Sequence, residues 1–358
     1  MPLTDYRTLG RSGLVVSPLA LGTMTFGQGR WGADEETSRE IFDAYLDEGG
    51  NFIDTADVYS GGESERLVGR FLREGGTRDR VVLATKYGFN AGSSPLETDG
   101  DARANPLAGG SGTRNLRRAV DASLARLGTD YIDLYWMHVW DGITPAEEIV
   151  EAMGNLVRQG KILHYALSDM PAWFAARVAG IAEARGVPGP VAIQVEYSLV
   201  ARGVEEEHIP AAIASHMGVV PWSPLAGGFL TGKYRRDTAN TEGRLSGANP
   251  FGDSKFTERN WDILDTLRDV AGEVDASPAQ VALSWTLTRP GIAATIVGAR
   301  GPEQLHTNLG ALDFHLADSQ IDRLNAASTP AAGFTGGLAS AGLRSALFGG
   351  HDVRGWIG

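Results

Sequence analysis

The 358-residue chain contains no cysteine. That excludes a disulfide framework, thiol catalysis and thiolate metal sites. Lysine is scarce: Lys86, Lys161, Lys233 and Lys255 are the only four in the sequence. Basic charge is carried almost wholly by arginine, so a lysine kept inside an apolar strand stands out. Positive charge is outweighed, with a formal net charge of -12. A nucleic-acid backbone is therefore not an expected partner, since phosphate binding needs clustered Lys and Arg. No run approaches the ~20 apolar residues of a membrane span, so no membrane partner is expected. The N-terminal MPLTDYRTLGRSG has no apolar core of the signal-peptide kind. The expectation is a cytoplasmic protein; a homo-oligomer is not indicated.

What is present is ordinary globular material, 42% hydrophobic and 21% charged. The length suits two average domains or one large α/β barrel. Short apolar runs alternate with amphipathic helical stretches along the chain. Predicted strands are Pro18–Gly22, Asn51–Asp54, Val81–Thr85, Tyr131–Met137, Ile162–Leu167, Val191–Val195, Val219–Trp222 and Ala293–Val297. Predicted helices lie between them, for example Asp34–Glu48, Pro171–Ala184, Val204–Ser215 and a final one at Pro302–Leu309. Thr113 reads as a helix cap, and Thr144-Pro145-Ala146-Glu147 as a capping box. Eight such units imply a parallel sheet covered by helices and closed into a (β/α)8 TIM barrel. The predicted organisation is one barrel over residues 1–330 and a Gly-rich segment, 331–358, that reads as a loosely ordered tail or an active-site flap. Tyr6–Val16 reads as a β-hairpin plugging the barrel bottom. The long segment Phe89–Gly112 reads as a functional or disordered loop.

Gly27-Gln28-Gly29-Arg30-Trp31-Gly32 matches the dinucleotide fingerprint, with Asp54 about 20 residues on. The match is rejected. The fingerprint turns directly from strand to helix, so that the helix N-terminus meets the pyrophosphate. Here the strand ends near Gly22, and Asp34, Glu35 and Glu36 at the helix start would repel it.

Strand ends at the C-terminal face of a barrel carry the active site. Asp54, Lys86 and His138 close the second, third and fourth strands, and Tyr59 follows Asp54 by five residues. Singly, each reads more readily as a structural or surface residue. Together they suit carbonyl reduction. A tyrosine, ordinarily a weak acid with pKa near 10, gives up a proton more readily beside an ammonium. Lys86 would supply that charge, Asp54 would hold Lys86, and His138 would orient the carbonyl oxygen toward Tyr59.

The segments Asn51–Tyr59, Leu83–Lys86 and Tyr131–His138 resemble, in order and spacing, the signatures of the aldo-keto reductase family. The resemblance runs from about Tyr6 to Asn325. It is to the branch that holds potassium-channel β subunits and aryl-alcohol dehydrogenase-like reductases. It implies an Asp-Tyr-Lys-His tetrad and NADPH bound without a Rossmann domain. It further implies cofactor contacts from Gly22, Thr23, Met24, Asp54, Ser168, Asp169 and Gln194. Asp169 stands where Asn is more usual, which favours Ser168. Trp222 would stack on the nicotinamide. Ser223, Pro224, Leu225, Gly227 and Lys233 lie in a likeness of the pyrophosphate loop, and Gly298, Arg300, Gln304 and Asn308 in that of the adenosine end. Arg300 would take the 2′-phosphate, since guanidinium suits phosphate. Phe26, Trp31, Tyr87 and Trp140, with Met24, would line an apolar pocket for a small carbonyl substrate. The alternative is an NADPH-binding, partner-binding subunit with slow turnover. No metal is expected.

Overall fold

The computed structural model describes residues 1–27, 32–90, 105–236, 245, 255–331, 333, 341–351 and 353. Two short strands, β1 (Arg7–Thr8) and β2 (Val15–Val16), pair antiparallel. Eight parallel strands follow: β3 (Leu19–Gly22), β4 (Phe52–Asp54), β5 (Val82–Tyr87), β6 (Ile132–Met137), β7 (Ile162–Ser168), β8 (Ala192–Glu196), β9 (Gly218–Trp222) and β10 (Thr295–Val297). Their order is β10-β3-β4-β5-β6-β7-β8-β9. The ends meet at Val219, whose N–H donates to Gly291 O at 2.9 Å and whose carbonyl accepts from Ala293 N at 2.9 Å. The expected (β/α)8 barrel is present. Helices α1 (Glu35–Asp47), α2 (Glu63–Gly75), α3 (Thr113–Leu127), α4 (Ala146–Arg158), α5 (Ala172–Arg185), α6 (His208–Ala214), α7 (Glu258–Glu273), α8 (Pro278–Leu287) and α9 (Pro302–Leu309) surround it. Among the described residues no helix is long and apolar enough to cross a membrane.

The strand period of two divides the core. Ile53, Leu83, Tyr135 and Leu167 point outward and pack under the helices. Ala20, Phe52, Val82, Ala84, Leu134, Trp136, Ala166, Ala192, Val220 and Ala294 point inward. Five of these are alanines, and they leave the barrel interior room for one indole, that of Trp136. Leu9, Leu14 and Val16 from the hairpin are buried against the same cluster. The hairpin therefore plugs the bottom, as the sequence suggested. At its tip Gly10 sits at φ 58°, and a Cβ there would lie 2.3 Å from Val191 O.

Local corrections follow from hydrogen bonding. Thr113 is not the cap of α3: Gly112 holds that place, and the Thr113 hydroxyl donates to Glu148 at 2.9 Å. Thr144 does not cap α4 either. Asp141, just upstream, captures both its N–H (2.9 Å) and its hydroxyl (2.6 Å), leaving Pro145 at the N-cap. The segment read as one helix from Val204 to Ser215 is a 3-10 turn, Gly203–Glu205, followed by α6. A further helix, α10 (Asp318–Ser328), packs on α7 beyond the helix expected to be last. A short helix at Ala341–Leu347 lies in the tail; half of the tail, and residues 91–104 of the long loop, fall outside the described residues. The rejected fingerprint closes on itself: Gly27 N donates to Ala33 O at 2.9 Å, and Asp34 caps α1 by accepting from Thr37 N.

Gly10→Ala is expected to lower unfolding free energy by about 2 kcal/mol or more, through left-handed strain plus the clash with Val191. Urea denaturation measures it, and a wild-type midpoint would remove the plug from the fold's stability.

Candidate active site

The inward row ends, at the top of six of the eight strands, in Gly22, Asp54, Lys86, His138, Gln194 and Trp222. Register sets their heights. Asp54 lies opposite Ala84, and Lys86 opposite Trp136. The ladder then runs on into the loops: Thr55 N donates to Ala84 O (2.9 Å), Asp57 N to Lys86 O (3.1 Å) and His138 N to Tyr87 O (2.8 Å). Tyr59 opens a 3-10 turn, Tyr59–Gly62, in which Ser60, Gly61 and Gly62 all have positive φ. Ser60 (φ 50°) is pinned there by its hydroxyl donating to Phe26 O at 2.7 Å. That turn swings the Tyr59 ring back over the strand ends.

Lys86 is fully buried (0% exposed). Its ammonium donates to Asp54 Oδ1, to Thr55 O at 2.9 Å and to Tyr59 Oη at 3.3 Å. An ammonium has three donors and no acceptor, so all three are used. The Tyr59 oxygen must accept from Lys86, which leaves its own O–H free to donate elsewhere. Asp54 Oδ2 accepts from Gln194 Nε2 at 3.1 Å, completing the carboxylate. Burial pulls the Lys86 ammonium down, but Asp54 and Tyr59 facing it leave it raised. Burial also lifts the Tyr59 phenol above its ordinary value, and Lys86 only partly offsets this. The lowering by Lys86 is present but outweighed by burial, and at neutral pH the phenol keeps its proton. His138 stands edge-on to Tyr59, ring centroids 5.9 Å apart, with Phe89 on it at 4.8 Å. Burial and then Lys86 hold its imidazole well below the usual pKa, hence neutral, and its Nδ1 is buried without a partner.

Asp54, Tyr59, Phe89, His138 and Gln194 form one end of a cavity of about 440 Å³, with Lys86 buried behind them. Of the expected cofactor contacts, Gly22, Met24, Asp54, Asp169, Gln194, Trp222, Ser223, Pro224, Leu225, Gly227, Lys233, Gly298, Arg300, Gln304 and Asn308 line it. Thr23 and Ser168 do not. Thr23 is buried, its hydroxyl on Asp54 O (3.2 Å) and Ser64 Oγ (2.8 Å). Ser168 lies behind Asp169 and donates to it at 3.2 Å, so Asp169 takes the cavity wall. Phe26 and Tyr87 are fully buried in the outer core, against Phe71 and Tyr135 respectively, and line nothing. Trp140 packs on Trp173 and Phe174 rather than the cavity. Trp31 lies outside the described residues. Val58, Phe89 and Val139 line the apolar side instead. Among the described residues no cluster of three or more His, Asp or Glu could hold a metal ion.

The Aldo/keto reductase family is matched over residues 18–329. The chain belongs to that family. It is 38% identical to "Uncharacterized oxidoreductase YrpG" of Bacillus subtilis over 325 residues, 89% of this chain and 94% of that protein. It is 34% identical to an aryl-alcohol dehydrogenase of Phanerodontia chrysosporium, named for NADP(+), over 87% of this chain and 83% of that one. A putative voltage-gated potassium channel subunit beta of Schizosaccharomyces pombe is 35% identical, over 86% of this chain and 88% of that one. The fold and these relatives make the protein an oxidoreductase of the aldo/keto reductase type.

Beneath the Tyr59 turn lies a buried acid cluster that sequence reasoning missed. Glu65 accepts from Thr85 Oγ1 (2.6 Å) and Arg126 Nε (2.5 Å), while Asp57 Oδ1 is buried without a partner. Burial, then Glu65, pushes the Asp57 carboxyl up to about 8. Below the ordinary Asp value both folded and unfolded chains hold this proton, so no penalty exists. As pH rises toward 8 only the unfolded chain releases it, and folding is penalised progressively. Asp57→Asn is expected to match wild type in Tm near pH 4 and to exceed it by several degrees at pH 8. A difference independent of pH would contradict the protonated Asp57.

Proposed function

We propose that the protein reduces an aldehyde or ketone to an alcohol with NADPH, Tyr59 giving the proton. The observation that carries this is the Tyr59 hydroxyl, held as acceptor by Lys86 and so free to donate into the cavity. The cofactor's supply is a hydride. Everything else falls to this chain. Trp222 offers an aromatic wall. Gly227 (φ 66°) and Gly228 (φ 93°) form a bend of bare backbone beside Lys233, where a Cβ on Gly228 would meet Lys233 Nζ at 3.1 Å. Burial and the nearby Arg300 hold the Lys233 ammonium below its usual value. Two close cations suit phosphate oxygens, so the residues fit an NADPH with its 2′-phosphate at Arg300. Neutral His138 and Tyr59 face the same space and orient the carbonyl oxygen; the apolar side chains of Val58, Phe89 and Val139 exclude water. Tyr59 releases its proton to the oxygen, and the ammonium of Lys86 stabilises the phenolate left behind.

The likeness to a potassium channel β subunit favours a second reading, an NADPH-binding partner subunit with slow turnover. Turnover with a broad aldehyde and ketone panel, followed at the cofactor absorbance, decides between them.

Tyr59→Phe is expected to bind NADPH as wild type does but to lose roughly 10²- to 10⁴-fold in kcat. Retained kcat would remove Tyr59 as the acid. Arg300→Ala is expected to weaken NADPH by roughly 10- to 100-fold and NADH little. Equal losses in two fluorescence titrations would take Arg300 off the 2′-phosphate.

A further inference from the structure

Asp169 has a feature that cofactor contact alone does not explain. It directly follows β7 in a left-handed conformation, φ 47°, which places its side chain on the cavity wall. The backbone is held there by its N–H donating to Gln194 O (3.1 Å) and its carbonyl accepting from Trp140 N (3.2 Å). One carboxyl oxygen accepts from Trp222 Nε1 at 2.9 Å, the other from Ser168 Oγ at 3.2 Å. Both donors are neutral. Among the described residues no cation lies within ion-pair distance of it.

The other charges around this end of the cavity are already balanced. Asp54 is neutralised by Lys86, whose three donors are spent. Glu196 is paired with Lys255 at 3.0 Å. Asp169 is thus an exposed anion on the cavity wall, with no counter-charge of its own among the described residues. Burial pushes its carboxyl up to about 6, against the Trp222 and Ser168 hydrogen bonds and the Lys86 charge, with Glu196 adding to the rise. At neutral pH it is mostly ionised. The complement of such a site is a ligand that brings positive charge.

A nicotinamide ring differs in one respect between its two states: it is neutral when reduced and cationic when oxidised. Its departing hydride carries two electrons, so one positive charge is left on the ring. We propose that Asp169 is the counter-charge for the oxidised ring, so that the cavity prefers NADP+ over NADPH and bound NADPH is the stronger hydride donor for it. Binding and redox balance are reciprocal: whatever factor favours binding of the oxidised form shifts the bound couple toward that form by the same factor. A neutral side chain of the same shape in this position would hold Trp222 equally well without that preference. The proposal rests on the nicotinamide reading above.

The test measures dissociation constants of NADPH and, by competition, NADP+ for wild type and Asp169→Asn at pH 8 and pH 5.5. Asp169→Ser serves as a second uncharged variant, and thermal melts establish that each is folded. At pH 8 both variants are expected to lose roughly tenfold in NADP+ affinity relative to NADPH. In wild type the preference should shrink by several-fold on going to pH 5.5, where Asp169 takes a proton; in both variants it should not change with pH. Equal losses for the two cofactor forms would overturn the proposal and leave Asp169 as a mere anchor for Trp222. A wild-type preference independent of pH would overturn it as well. Failure of wild type to bind either form would instead overturn the nicotinamide reading itself.

Discussion

A lysine ammonium taken wholly out of water must find an acceptor for each of its three protons, or lose its charge. The upper part of this barrel is arranged around that demand. Lys86 reaches it from β5; Asp54 answers from β4, Thr55 from the carbonyl just past that strand, and Tyr59 from the turn beyond. Removing a buried charge partner ordinarily costs several kcal/mol, so the geometry of all four groups is tied to one atom. A phenol that must accept from Lys86 is left with its proton directed elsewhere. Chemistry and stability are here the same constraint seen from two sides.

The barrel makes that constraint easy to meet. Parallel neighbours in fixed register bring the strand-end residues to heights two residues apart, and the period of two points all of them inward. Below them, four strand alanines and Ala294 just before β10 admit Trp136, and the hairpin closes the bottom with Leu9, Leu14 and Val16. The site therefore stands on a packed floor. Its loops add the variable parts: the strained turn at Ser60, the bare glycines at 227 and 228, and the left-handed Asp169.

Much of this was legible in the residues. The eight-fold rhythm of apolar runs gave the barrel, and the ionisable residues at three adjacent strand ends gave the tetrad. Where the reading failed, the reason is specific. Tyr87 follows Lys86, so when Lys86 faces in, Tyr87 must face out; strict alternation would have placed it in the core. Ser168 has inward parity, but Asp169 takes the wall because of a positive φ that no side-chain pattern discloses. Thr113 and Thr144 lost their capping roles to Glu148 and Asp141, partners distant or upstream that a local motif does not register. The burial of Asp57 beside the Glu65–Arg126 ion pair was equally invisible, since it brings a loop against two helices. Lys86 lowers the Tyr59 phenol as the residues suggested, yet burial, which the strand pattern does not weigh, outweighs it in the site as it stands.

The central claim is that the buried Lys86 charge, not merely the lysine's bulk, makes Tyr59 a usable acid. Stopped-flow oxidation of bound NADPH by an aromatic aldehyde, in wild type and Lys86→Met, tests it directly. Methionine is nearly the same length and carries no charge. The account expects NADPH to bind with little change while the single-turnover rate falls by roughly 10²-fold or more. A variant that binds NADPH and turns over at the wild-type rate would contradict it.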